Sequence, residues 1–368
     1  MTSAPSPDEQ ALHYFESLES MEGLVATQPS TKPSRLAWFP KAALLQMLYP
    51  GVLAAGTIGL AATWLSQTYH APVMLFALLI GMAFHFLHEE GRCRVGIEFS
   101  SRTILRLGVA LLGLRITASQ IAGLGAAPIL MVCAGVATTC LCGWLLGQRL
   151  GLGRYFGLLS GGAVAICGAS AALAISTSLP PYANKERDTV LTVVVVTSLS
   201  TVAMVLYPLL VPALHLTHVE AGLFLGGTIH DVAQVVGAGY MVSPETGDIS
   251  TYVKLLRVAA LIPVVACLSW LALDRAVSGP GLARTFPLFL FGFAALVALN
   301  SALPLPKFLT DGASSVSSWC LVTAISALGM KTSFREVCAA GWRPLGLMVT
   351  ETVWIAALVL GSILLLRH

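Results

Sequence analysis

Three polar side chains, His230, Asp231 and Gln234, stand within five residues of one another in the stretch GGTIHDVAQVVGAG, residues 226–239. The flanks, VEAGLFL before and YMVS after, are apolar enough for lipid. A charged aspartate at the centre of a spanning helix costs about 2.5–3.5 kcal/mol on insertion scales, so Asp231 is not neutral decoration. One chemistry open to it is exchange of a proton or sodium ion, with His230 titrating near neutral pH beside it. The other is structural: a cap or hydrogen-bond clip that holds a helix break, with His230 a satisfied donor. Gln234 follows His230 by one helical turn, so the two could share a face.

A second Gly-rich stretch, SGGAVAICGAS, lies upstream. Gly161, Gly162 and Gly168 in one stretch, and Gly226, Gly227, Gly237 and Gly239 in the other, are placed to break helices. A broken helix at membrane depth exposes unpaired N–H groups and the positive end of a dipole, which together hold an anion without a full positive charge. Ser160, Ser170, Thr228 and Gln234 add donors on the same elements. The expected substrate site is therefore Gly161, Gly162, Cys167, Gly168, Ser170, Gly226, Gly227, Thr228 and Gln234, with His230 and Asp231 as the coupling-ion pair.

Cations follow. Lys254 and Arg257, three apart in STYVKLLRVAALIP, are neighbours on one helical face. They either snorkel to the outer headgroups or form a positive vestibule that recruits an anion, with Arg106 as a deeper third cation. Glu98 and Arg102, four apart, read as an interfacial ion pair. Glu351, deep in the last apolar block, calls for a buried partner that the sequence does not name.

The elements that must position these groups are membrane helices. Hydrophobic residues make up 56% of the 368 and charged ones 11%, with mean hydropathy +0.81. Apolar blocks near the ~20 residues needed to cross a bilayer define an all-α polytopic membrane protein. Continuous runs such as VLTVVVVTSLSTVAMVLYPLLV exclude a transmembrane barrel, which would alternate. Hydropathy places segments at 42–65, 72–88, 101–116, 126–148, 155–178, 189–213, 219–241, 251–273, 285–304, 315–330 and 343–366. Residues 1–41 read as a polar cytosolic tail without a signal peptide, and 42–368 as one transporter domain. The eight cysteines form no CxxC pair and no His/Cys cluster, so no metal and no disulfide framework is expected. Nothing reads as nucleic-acid binding.

Two internal echoes organise the blocks. Residues 111–132 align without gaps to 327–348 at an offset of 216, pairing Gly113 with Gly329, Arg115 with Lys331, Thr117 with Ser333, Ile121 with Val337, Gly125 with Gly341 and Pro128 with Pro344. Residues 157–171 and 222–236 share Gly-Leu-x-x-Gly-Gly. Such repeats are a transporter signature. Lys and Arg favour the cytoplasmic side. With the tail inside, the loops bearing Arg92, Arg94 and Arg102, Arg149 and Arg154, Arg275 and Arg284, and Lys331, Arg335 and Arg343 all fall inside, with Lys307 an exception. The loop LPPYANKERD, with Lys185 and Arg187, joins them only if 155–178 is a re-entrant hairpin, and 219–241 must then re-enter from outside. The expectation is nine spanning helices and two opposed re-entrant segments, with eleven spanning helices as the alternative. The C-terminus is then periplasmic.

The motifs GIEFSSRTILRLGVALLGLRIT, AICGASAALA, TIHDVAQVVGAGY and GDISTYVKLLRVAAL together resemble the YeiH-like sulfate exporter family of bacterial inner-membrane proteins, from about residue 42 onward. The resemblance implies export of sulfate or related sulfur oxyanions. It also implies inverted repeats, a scaffold, and a mobile core with two broken helices meeting at the site, an elevator-type architecture. Carried onto this chain, the paired site elements are SGGAVAICGAS and GGTIHDVAQ.

The expected function is secondary transport of a small oxyanion, sulfate or a sulfonate, coupled to a proton or sodium ion and needing no other cofactor. A cation/proton antiporter built on Asp231 is the alternative. A membrane-embedded enzyme is a third class, against which stand the absence of metal-ligand spacing, of a GxSxG nucleophile and of a Walker A loop. The expected partners are a small anion and the bilayer, with a homodimer open.

Overall fold

The computed structural model describes residues 41–89, 91–271, 288–303, 306–332 and 341–366. The tail of residues 1–40, and the expected loop cations Arg275, Arg284 and Arg335, lie outside the described residues. Among the described residues every regular element is helical. In chain order they are α1 (Lys41–Tyr69), α2 (Val73–Ala83), α3 (Phe86–Glu89), α4 (Arg94–Phe99), a π-helical turn (Ser100–Ile104), α5 (Leu105–Leu112), α6 (Ala118–Gly123), α7 (Ala127–Arg149), α8 (Arg154–Ala165) and α9 (Ala169–Ser178). There follow α10 (Lys185–Ala213), α11 (His218–Thr228), α12 (Val232–Val242), α13 (Pro244–Ala259), α14 (Leu261–Leu271), α15 (Leu288–Ala302), α16 (Lys307–Lys331) and α17 (Trp342–Leu366).

Among the described residues six stretches are long and apolar enough to cross a bilayer: Leu45–Tyr69, Ala127–Arg149, Lys185–Ala213, Pro244–Leu268, Lys307–Lys331 and Trp342–Leu365. Their outward faces carry exposed Leu45, Trp64, Leu130, Leu209 and Trp342, apolar surface that suits lipid rather than water. Hydropathy expects nine or eleven spans, and the difference has local causes. Block 72–88 holds the 11-residue α2, and block 101–116 starts inside a π turn and ends after the 8-residue α5. Blocks 155–178 and 219–241 are each cut into two short helices.

The helices pack in two groups. One comprises α1, α2, α4, α5, α15 and α16; the other α7 to α14 with α17; and α12 joins them by packing on α2 and α16. Contacts within groups are made by glycines that let backbones touch, as membrane helices require. Gly81 on α2 meets Gly329 on α16, and Gly143 on α7 meets Gly157 on α8, so closely that a Cβ at any of them would overlap the partner's backbone.

Both cut blocks fold back on themselves. Tyr155, at the start of α8, stacks on Tyr182, beyond the end of α9, at 5.4 Å between ring centroids. Gly162 lies against Ile175 across the same turn. In the second, the Thr246 hydroxyl on α13 donates to the His218 carbonyl at the start of α11 (3.0 Å), and neighbouring Gly247 packs on Gly239 at the end of α12. Each is thus a helical hairpin, entered and left at one end. The first lies at the N-terminal end of α10, where Ser176 bonds Thr189 at 2.7 Å. The second begins just after α10 ends, capped by the reciprocal Thr217–Glu220 box. They point towards each other from opposite ends of α10. An 11- or 12-residue helix rises about 16–18 Å, about half a bilayer's hydrocarbon depth.

The longer echo also has a structural counterpart. Gly125 and Gly341 both take positive φ, +66° and +81°, each just before a helix that holds Pro128 or Pro344 near its start. The paired positions Ser333 and Val337 lie outside the described residues.

Candidate functional site

The two hairpin tips meet. The first tip, residues 166–168, turns at Gly168, whose φ of +67° is a conformation L side chains rarely adopt. The second, residues 229–231, is extended, with ψ of 140° at Ile229 and 145° at Asp231. A Cβ on Gly168 would lie 3.8 Å from His230.

This corrects the expectation for the glycine pairs. Gly161, Gly162, Gly226 and Gly227 do not break helices; they sit inside α8 and α11. They serve close approach: Gly161 to Thr139 and Cys140 of α7, Gly226 to Ser250 of α13, and Gly227 to Met131 and Val359. Gly237 and Gly239 likewise lie within α12.

Breaking a helix leaves its last carbonyls without partners and a partial negative charge at that end. Here two cations of α13 take both broken ends. Lys254 Nζ donates to the carbonyls of Ile166 (2.6 Å) and Ile229 (3.0 Å), and to that of His230. Arg257 donates from Nε to Ala165 O (2.8 Å) and from Nη2 to Val164 O (2.7 Å). Its Nη1 reaches Gly226 O (3.2 Å) and Ile229 O (2.9 Å). Spacing of three residues puts both cations on one face of α13, aimed between the tips. Lys254 is 0% and Arg257 1% exposed. They therefore neither snorkel to headgroups nor line an open vestibule. Among the described residues no carboxylate forms an ion pair with either.

The other two helix ends differ. Ala169 and Ser170, opening α9, and Asp231 and Val232, opening α12, are half-buried rather than sealed. Asp231 caps α12, its Oδ1 accepting from Ala233 N at 2.8 Å. The N-cap of α9 is Gly168, which offers no side chain, and the Ser170 hydroxyl beside it has no hydrogen-bond partner among the described residues. Cys167 is buried in the first tip.

His230 is fully buried. Its Nδ1 faces Val164 O at 3.0 Å, so that nitrogen carries a proton, and Nε2 meets Thr352 Oγ1 at 3.0 Å. It ties the second tip to the first and to α17. Gln234 does not share its partners: Nε2 of Gln234 donates to Thr201 Oγ1 (2.7 Å) on α10, while its Oε1 is buried without a partner. Thr228 donates to Phe224 O (2.6 Å) within its own helix and lends nothing to the tips. Arg106 stands on α5, which packs chiefly on α16 and α15 and not on the tips.

Sequence reasoning placed α10 as a helix but missed its part in the site. Ser200 Oγ accepts from the backbone N–H groups of His230 (3.2 Å) and Asp231 (3.0 Å), satisfying the unwound strand. The signal was present: Thr197, Ser198, Ser200 and Thr201 interrupt a valine-rich run at its middle. The partner missing for Glu351 is Ser160, which donates to its Oε1 at 2.7 Å. Among the described residues no three His, Cys, Asp or Glu side chains gather where a metal could be held.

An all-helical membrane protein with two opposed hairpins joined at their tips by buried cations is the class these features define. The chain belongs to the UPF0324 membrane protein family. The family described as Conserved hypothetical protein 698 matches residues 50–348. The chain is 54% identical over 318 residues to a UPF0324 membrane protein of Chlorobaculum tepidum, covering 86% of this chain and 89% of that one. It is 47% identical over 331 residues to UPF0324 membrane protein TauZ of Paracoccus pantotrophus, covering 89% and 98%. Similarity at 33% identity extends to a UPF0324 membrane protein of Bordetella pertussis, over 90% and 97%. No solved structure matches the chain.

Proposed function

We propose that this protein is a secondary transporter of a small oxyanion across the bacterial inner membrane, with the joined hairpin tips as its substrate site. One observation carries the reading: Lys254 and Arg257 bring two positive charges into a sealed interior where carbonyls, not carboxylates, receive them. Carbonyl dipoles satisfy the donors without cancelling the charge. Asp231 follows His230, whose carbonyl Lys254 holds, and its Oδ1 accepts from the Ala233 N–H as the cap of α12. The positive charge at the tips, with the unsealed N-terminal ends of α9 and α12, favours an anion. Gly168 N-caps the end that receives it, with Cys167 and Ser170 alongside, while Gln234, whose buried Oε1 has no partner, stands in the first turn of α12.

Sulfate, or a related sulfur oxyanion or sulfonate, is the substrate class implied by the YeiH-like resemblance. The tetrahedral array of acceptor oxygens on such anions suits converging N–H groups. The gap-free echo and the two opposed hairpins support an inverted repeat. The second helix group, carrying both hairpins, would move as an elevator against the first. The N-terminus is assigned to the cytoplasm and the C-terminus to the periplasm, so a cysteine at Lys185 reacts with impermeant reagents only from the cytoplasmic side. Labelling from outside overturns that orientation of the first hairpin.

Radiolabelled sulfate counterflow in proteoliposomes tests the function, competed by sulfonates, sulfite, thiosulfate, carboxylates and phosphate. Saturable counterflow is expected, and the strongest competitor names the substrate. No flux with any anion, in folded protein, transfers the assignment to cation/proton exchange at the half-buried Asp231.

A further inference from the structure

Away from the tips, at the junction of α7, α8 and α17, lies a carboxyl that the anion site does not use. Glu351 is 0% exposed on α17. Its Oε1 accepts from Ser160 Oγ on α8 at 2.7 Å, and its Oε2 is buried with no partner at all. Gly143 on α7 makes room for it, since a Cβ there would stand 2.5 Å from Oε1. One turn before Gly143 on the same helix, Thr139 Oγ1 is also buried and without a partner. Two orphaned polar atoms in so tightly packed a junction are unusual, because buried polar groups in folded proteins are almost always satisfied.

We infer that Glu351 is the proton-carrying residue of the transport cycle, holding its proton on the buried carboxyl in this conformation and giving it to water when the junction opens. This deepens the transport reading by naming the coupled ion and its carrier, and it rests on that reading. A single O–H bond breaks on release, the electron pair stays on the carboxylate, and water accepts the proton; loading reverses the step.

The surroundings favour a proton over a metal cation. The neutral acid costs far less to bury than a carboxylate with an unpartnered oxygen. Intramembrane carboxyls that face a protein interior commonly mark proton relays. The titratable groups facing Glu351 are few. From α7 come the thiols of Cys140 and Cys142, and α8 contributes only the Ser160 hydroxyl. The second tip presents His230 one step away, through Thr352 next to Glu351 in sequence. From α10 and α11, the other helices packed on α17, no described charged group acts on the carboxyl. A cation is also poorly served, because Gly143 and Ser160 crowd Oε1 and leave no space for several oxygen ligands.

The position also suggests where the proton enters. Ser160 is six residues into α8, about 9 Å from its start at 1.5 Å per residue. The start of α8 lies on the side of Arg149 and Arg154, which the proposed topology assigns to the cytoplasm.

The test uses full-length protein in proteoliposomes, comparing wild type with Glu351→Gln. Exchange of sulfate for sulfate moves no net proton, so counterflow is expected to persist in Glu351→Gln, whereas accumulation driven by a pH gradient falls to the level seen without one. Accumulation that survives in Glu351→Gln overturns the inference, as does loss of counterflow in folded variant or accumulation in wild type that follows a sodium gradient instead. Absence of counterflow in wild type is a different failure, of the transport reading. Infrared difference spectra on the wild-type protein read the proton directly. A carboxylic-acid C=O band that titrates, and that shifts in Ser160→Ala, is expected whether or not Glu351→Gln folds. A band unmoved by Ser160→Ala, or no such band, rejects the assignment.

Discussion

Two clusters of charge in this molecule, one half-buried and one sealed, are neutralised differently. In the first helix group, Glu98 gathers two cations, Lys331 at 2.8 Å and Arg102 at 3.3 Å, and the His88 ring at 3.4 Å. The expected Glu98–Arg102 pair is one edge of that network. At the hairpin tips, two cations meet carbonyl oxygens and no carboxylate. Opposite charges locked together make a permanent fastening between α4 and α16. Charge set against dipoles alone leaves a field that a ligand can complete.

That contrast can be broken most severely at Arg257. Arg257→Ala strips a donor from four carbonyls at once and leaves those of Ala165 and Gly226 without any side-chain donor, and each unsatisfied buried group costs about 1–3 kcal/mol. The expected result is loss of a monodisperse folded protein in detergent; a stable variant would show that the tips hold without their tie. Lys254→Gln keeps a donor but removes a charge, and anion affinity should fall about tenfold or more, a shift of about 1.4 kcal/mol. Binding measured by scintillation proximity decides this, and unchanged affinity would remove the electrostatic argument for an anion. Glu98→Gln should cost about 1–2 kcal/mol of thermal stability while counterflow stays near wild type. Abolished counterflow there would erase the distinction between fastening and site. The smallest effect on folding is expected for Asp231→Asn, because asparagine caps a helix as well as aspartate does. A change in melting temperature within about 2 °C is expected, against a clear drop for Asp231→Ala, which forfeits a cap worth about 0.5–2 kcal/mol.

How far the sequence revealed this arrangement depended on whether a residue's role was local. Asp231 was legible as a break or a cap, because N-cap chemistry involves residues two positions apart. Gly168 was legible for the same reason. The fold-back of residues 155–178 followed from the charge of the Lys185 loop, a signal that acts over a few residues. The Gly-Gly pairs misled because a glycine that breaks a helix and one that admits a neighbouring helix look alike until the neighbour is placed. Lys254 and Arg257 could be recognised as neighbours, yet their acceptors lie 24 to 93 residues away, at carbonyls that every residue possesses. Side chains seeking backbone leave no trace in composition. Ser200 was hidden by its company, since hydroxyls in apolar helices usually bond to their own turn, as Thr197 and Ser198 do.

The double grip of α13 has a mechanical consequence. Lys254 holds carbonyls from both tips with one ammonium group, and Arg257 does the same with one guanidinium. Neither hairpin can swing aside alone without tearing contacts that also secure the other. On the transport reading proposed above, such a linkage argues against a valve with two independent leaves: the hairpins would travel together, like two jaws on one spindle. The gradients on the two sides would then decide which way the jaws carry their cargo.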